Sequence, residues 1–202
     1  MMVFEANVDA RRVINIIFGC KISVANILCV VGSERPQMDL PTLARIRKSI
    51  IGHPSWVPRD DKWFALTASI DIDGVGVAGL SVRGQALRTV ADAAVSLQLQ
   101  YQPGKIAHHL IRIEWKPIKK HTNSNRGPVD LRLVQIDGSH IHKFDHNYLE
   151  TEQRMFAGNQ PVAAPIMEDV DSFEKFIAFC AIAFNVDGIE KLTVPPWAPR
   201  ML

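Results

Sequence analysis

The chain has 202 residues, 47% of them hydrophobic and 22% charged, with a net charge of +2. This composition suits one soluble globular domain spanning 1–202 and excludes collagen-like, disordered and disulfide-built chains. Three cysteines, Cys20, Cys29 and Cys180, lie in apolar surroundings without CxxC spacing, which predicts reduced buried thiols and excludes a cysteine zinc knuckle.

The first forty residues hold two apolar runs, 13–18 and 22–31. Their β-branched content predicts strands, with a helix over 9–18 as the alternative. Lys21 interrupts the second run's approach, and a charge inside a membrane span costs about 2.5–3.5 kcal/mol on insertion scales. The segment is therefore read as buried structure of a cytoplasmic protein, with a secretory leader as the alternative. After a turn-rich break, Asp39, Leu40 and Pro41 open a helix. Leu43, Ile46, Ile50 and Ile51 repeat on one face, and Gly52, His53 and Pro54 stop it.

From Lys62 the period changes to two. Trp63, Ala65 and Thr67 alternate against Phe64, Leu66 and Ala68, and Asp73-Gly74 predicts a hairpin. A third strand over 94–102 sets Val95, Leu97, Leu99 and Tyr101 against Ser96, Gln98 and Gln100. A fourth over 106–116 sets Ile111, Ile113 and Trp115 against Leu110 and Arg112. Residues 117–128 form a basic loop. A fifth strand over 129–136, an Asp137-Gly138 turn and a sixth strand over 140–144 follow. A short apolar strand covers 161–167, and Asp171-Ser172 caps a helix over Phe173–Phe184 with Phe173, Phe176, Ile177, Cys180 and Phe184 as its core face. The tail 193–202 is Pro-rich and extended. The predicted class is α+β: an antiparallel meander of about five to seven strands packed by two or three helices.

Histidine and charge carry the chemistry. His140, His142 and His146 share one strand parity, so their rings project together if the strand runs that far. Converging imidazoles suit a transition metal, with Asp137 or Asp145 completing the ligands. The same His140 and His142 suit a general base and acid for phosphodiester cleavage, without a metal. Lys116, Lys119, Lys120, Arg126, Arg132 and Lys143 would hold the phosphate or a binding partner. Residues 105–143 carry eight basic and three acidic side chains; 145–190 carry nine acidic and two basic ones. Such a sign change builds either two charged faces or a pair that neutralises itself. Gly74, Gly76 and Gly79 have dinucleotide-loop spacing, but they follow a hairpin signal and precede a strand, so no nucleotide site is expected.

The order of basic loop, strand, His-x-His strand, apolar strand and capped helix over 115–185 resembles small uncharacterised bacterial domains found near toxin–antitoxin and phage-defence genes. His140, His142 and the Phe173–Phe184 helix carry that resemblance. It implies a binding protein of a bacterial or phage conflict system, acting on a protein or nucleoprotein partner, with RNA or DNA as the further candidates and no membrane. The alternative is a small ribonuclease-like toxin using His140 and His142. Neither reading calls for a cofactor, and whether the chain is an enzyme is left open between them.

Overall fold

The computed structural model describes residues 38–156 and 160–197. The apolar runs 13–18 and 22–31, Cys20, Cys29 and the last five residues of the tail lie outside them. The described residues belong to one compact unit.

The unit opens with helix α1 (Leu40–Arg45), capped by the Asp39 carboxylate on the Thr42 amide at 2.7 Å. Strands β1 (Lys48–Ile50) and β2 (Val57–Pro58) follow, then β3 (Trp63–Ile72), β4 (Val75–Leu87), β5 (Val95–Tyr101) and β6 (His108–Trp115). The remaining elements are β7 (His121–Thr122), β8 (Gln135–Ile136), β9 (His140–His142), α2 (Phe144–Asn147), β10 (Tyr148–Leu149), β11 (Arg154–Met155), β12 (Ala164–Pro165), α3 (Phe173–Phe184) and β13 (Val186–Asp187).

One sheet dominates, with the order β12-β9-β6-β5-β4-β3-β1-β13 and β2 added to β3. The middle is the expected antiparallel meander. Asp73 and Gly74 both take positive φ, 52° and 76°, and join β3 to β4 as a two-residue hairpin. The sheet is mixed and longer than expected, because β13 pairs in parallel with β1. Helix α3 makes this possible by carrying the chain from one edge of the sheet to the other. Its apolar stripe, Phe173, Phe176, Ile177, Cys180 and Phe184, is buried as the spacing predicts. Phe176 stacks on Trp115 at 5.4 Å and Phe173 meets the same ring edge-on at 6.1 Å. Trp115 is therefore part of the core.

Two expected elements differ. The helix expected to run to Ile51 ends at Arg45. Lys48 turns inward instead, and its ammonium donates to the carbonyls of Leu43 at 3.0 Å, Ala44 and Ile46. Those bonds satisfy the helix end, and the chain continues as β1, with Lys48 and Ser49 paired to β13 and Ser49 and Ile50 paired to β3. Gly52, His53 and Pro54 thus lie beyond β1 and do not stop the helix. The strand expected over 129–136 is a 3-10 turn at Val129–Leu131 and only the short β8. β9 already has β6 and β12 as neighbours, which leaves no edge for a long strand to join. Val129 and Leu133 accordingly stay exposed.

The sheet has two unlike faces. Ile111, Ile113 and Trp115 of β6 join the core, whereas Arg112 and Glu114 face the other side. Among the described residues, no helix is long and apolar enough to cross a membrane.

Candidate metal centre

Strand register builds the first part of the site. Arg112 pairs with His142 and Glu114 with His140 across β6 and β9, so all four side chains lie on the face away from α3. The fifth member, His121, arrives from β7, which the pairing His121↔Ile136 ties to β8 just before the Asp137-Gly138 turn. The three imidazoles form a near-equilateral triangle, with centroid separations of 5.2, 4.8 and 5.2 Å.

Each ring is oriented by a backbone carbonyl. His140 Nδ1 donates to the Gly138 carbonyl at 2.9 Å, and His142 Nδ1 donates to that of Gln160 at 2.7 Å. The His121 ring bonds the backbone of Pro161, which has no N–H, so the ring must donate to its carbonyl. His121 Nε2 and His140 Nε2 are buried without hydrogen-bond partners. A neutral imidazole that donates through Nδ1 carries its lone pair on Nε2. The ligand atoms of His121, His140 and His142 all lie within 4.8 Å of one another.

The segment that supplies two of these carbonyls, those of Gln160 and Pro161, is itself clamped. Asn123 Nδ2 donates to the carbonyls of Leu131 and Ala163, both at 2.8 Å, and its Oδ1 accepts from the Ala163 amide at 2.8 Å. Asn147 grips Val162 in the same way, through its carbonyl at 2.7 Å and its amide at 3.0 Å. Gln160 reaches back to the carbonyls of His109 and Leu110, where β6 carries a bulge. Asn123, Asn147 and Gln160 are all buried, which makes each lost bond costly.

Charge surrounds the triangle on one side. Glu114 lies 3.7 Å from His140 Nε2 and 3.9 Å from His142 Nε2, and 3.2 Å from Arg112 Nε. Arg112 Nη2 donates to His142 Nε2 at 2.8 Å. Burial, then Arg112 and the other two imidazoles, push the His142 ring down to about 2. Burial, His140 and Arg112 also lower His121, against a smaller opposing pull from Glu114. Both rings are therefore neutral at pH 7; the His121 Nε2 lone pair faces no donor, whereas that of His142 accepts from Arg112, which must withdraw before His142 can ligate.

The expected site is only partly the observed one. His140 and His142 converge as their parity predicts. His146 does not join them, because the strand ends at His142 and the chain turns into α2. Asp137 and Asp145 point elsewhere, into ion pairs with Lys120 and Arg45, both at 2.7 Å. His121, Arg112 and Glu114 take those places. The parity of Arg112 and Glu114 was readable; the arrival of His121 from a loop was not.

The basic residues singled out from sequence serve separate neighbourhoods. Lys116 lies over the Trp115 ring and bonds the Asp171 carbonyl, Arg126 lies over Phe156, and Arg132 bonds the Gly127 carbonyl. Lys119 is exposed in the loop, and Lys143 lies beside the α2 start, where it lines an apolar groove with Phe144 and Phe179. The acidic stretch finds charge balance outside itself in Arg45 and Arg47 and within itself in Arg154 and Lys175. No family model, no curated protein and no solved structure matches the chain significantly.

Proposed function

We propose that the protein binds a divalent transition metal, zinc being the type case, through the Nε2 atoms of His121, His140 and His142. The observation that carries this reading is the set of three clustered imidazoles, two fully buried and one half-buried, whose rings each bond a backbone carbonyl, through Nδ1 in His140 and His142. That arrangement orients metal-ligating histidines and fixes their tautomer. A tetrahedral zinc needs nitrogen separations of about 3.4 Å, so the triangle tightens by about 1 Å on loading. Glu114 stands beside the remaining position. A three-histidine ion with an open position supplies Lewis-acid activation of a water or a substrate oxygen, and hydrolysis is the reaction class this favours.

The test is metal content and titration. The purified chain should take up one equivalent of Zn²⁺ or Co²⁺, and His121→Ala should weaken that binding at least about a hundredfold. His121 is only half-buried, so this variant keeps the fold. A wild type that takes up no metal, or a variant that binds as tightly, overturns the proposal.

The Arg112–His142 bond favours a second reading, in which Arg112, Glu114, His140 and His142 close a polar network without metal. Refusal of metal by the wild type supports it. The acid–base ribonuclease reading has less support. It needs His140 and His142 to meet solvent and titrate near neutrality, but both are fully buried and His142 is held near 2. Membership of a bacterial conflict system, with a protein or nucleic-acid partner, is a separate proposal resting on element order and charge. Pull-down from a lysate with and without nuclease tests it.

A further inference from the structure

The polar face of the sheet does not end at the histidines. A groove of about 460 Å³ runs from Glu114 and Arg112 across β5 and β4, lined by Trp63, Arg83, Gln85, Ser96, Gln98 and Gln100. Its volume lies in the range of small-molecule sites. Two cross-strand rows set its spacing. One reads Arg83, Gln98, Arg112, His142; the other reads Gln85, Ser96, Glu114, His140. Three strand steps of about 4.8 Å separate Arg83 from His142, or about 14 Å in all.

The two ends differ in chemistry. At one end lies the histidine triangle. At the other, Arg83 is exposed and has no ion-pair or hydrogen-bond partner among the described residues. Between them the floor is amide and hydroxyl over β4 and β5, then Arg112 and Glu114 on β6 beside the triangle, with Gln98 and Gln100 already bonded to each other at 3.0 Å. Trp63 lies on the same face as Gln85 and adds the one large aromatic ring.

We propose that this groove binds an elongated sugar acid, with its carboxylate on Arg83 and its hydroxyls on the glutamines and Ser96, reaching toward the histidine centre. A guanidinium pairs a carboxylate with two parallel bonds. Side-chain amides match hydroxyl groups that both donate and accept. The Trp63 ring offers a flat apolar surface to a sugar face. A peptide strand is disfavoured, since the sheet's backbone groups here are spent in the β4–β5–β6 ladders. The proposal rests on the metal reading only for what lies at the groove's far end.

Calorimetry on the zinc-treated full chain tests it, with trigalacturonate, maltotriose and uridine monophosphate as probes and metal content measured in parallel. Trigalacturonate should bind, maltotriose at least about tenfold more weakly, and Arg83→Met should lose about tenfold for the acid alone while metal content stays at the wild-type value. Trigalacturonate binding that Arg83→Met leaves unchanged, or tighter binding of maltotriose or the nucleotide, overturns the groove proposal. Lack of metal with Arg83-dependent sugar-acid binding overturns the metal reading and leaves the groove standing.

Discussion

His142 is enclosed on every side, next to Arg112 and two further imidazoles, and burial is the first cause of its lowered proton affinity. The unfolded chain protonates this ring near 6.5, whereas the folded chain holds it down to about 2. Below pH 6.5 the unfolded state therefore binds more protons, and stability falls as pH falls. Urea midpoints of the metal-free protein should drop from pH 6.5 downward, more steeply than those of His142→Gln; equal slopes would remove the linkage. Lys48 works at the other end of the scale. Burial pushes its ammonium down to about 8 from 10.5, so the folded state sheds its proton first. Stability then rises between those values, by about 3 kcal/mol from this group. Lys48→Met should abolish that rise in denaturant titrations at alkaline pH, and a variant with the wild-type rise would count against it.

At the scale of elements, the segment Gln160–Ala163 matters more than its lack of regular structure suggests. It carries the carbonyls for His121 and His142, and two buried asparagines hold it. Asn123→Ala leaves the Ala163 carbonyl and amide without their side-chain partner and the Leu131 carbonyl with only the Val134 amide. The expected cost is about 2–4 kcal/mol of stability, with weaker metal binding, because an unheld segment no longer orients the rings. Chemical denaturation and metal titration on one preparation check both. Full metal affinity in the variant would show that the rings are oriented from elsewhere. α3 and the meander illustrate the opposite case, elements whose formation follows from local pattern: a Ser172 cap with one apolar stripe, and alternating residues around an Asp-Gly turn.

On the scale of the whole molecule, the centre draws ligands from β7 and β9 and charged neighbours from β6, so only the folded chain presents it. A ligand that binds the folded state alone raises stability by mass action. Zinc at a hundredfold excess over its Kd should lift the melting temperature by about 5–10 °C. An unchanged melting curve would contradict the metal reading without touching the fold.

Sequence alone determined the period of the strands over 63–116, the stripe and cap of α3, and the common parity of His140 and His142. Those features depend on neighbours a few residues away, where propensity and alternation act directly. The end of α1 at Arg45, the loop over 129–136, the parallel β13 and the substitution of His121 for His146 depended on tertiary structure. Apart from the α1 end, which Lys48 closes on carbonyls two to five residues before it, each depends on a partner far along the chain: a free sheet edge, or an asparagine clamp across the site. Such long-range bonds leave no periodic trace in the residues that make them.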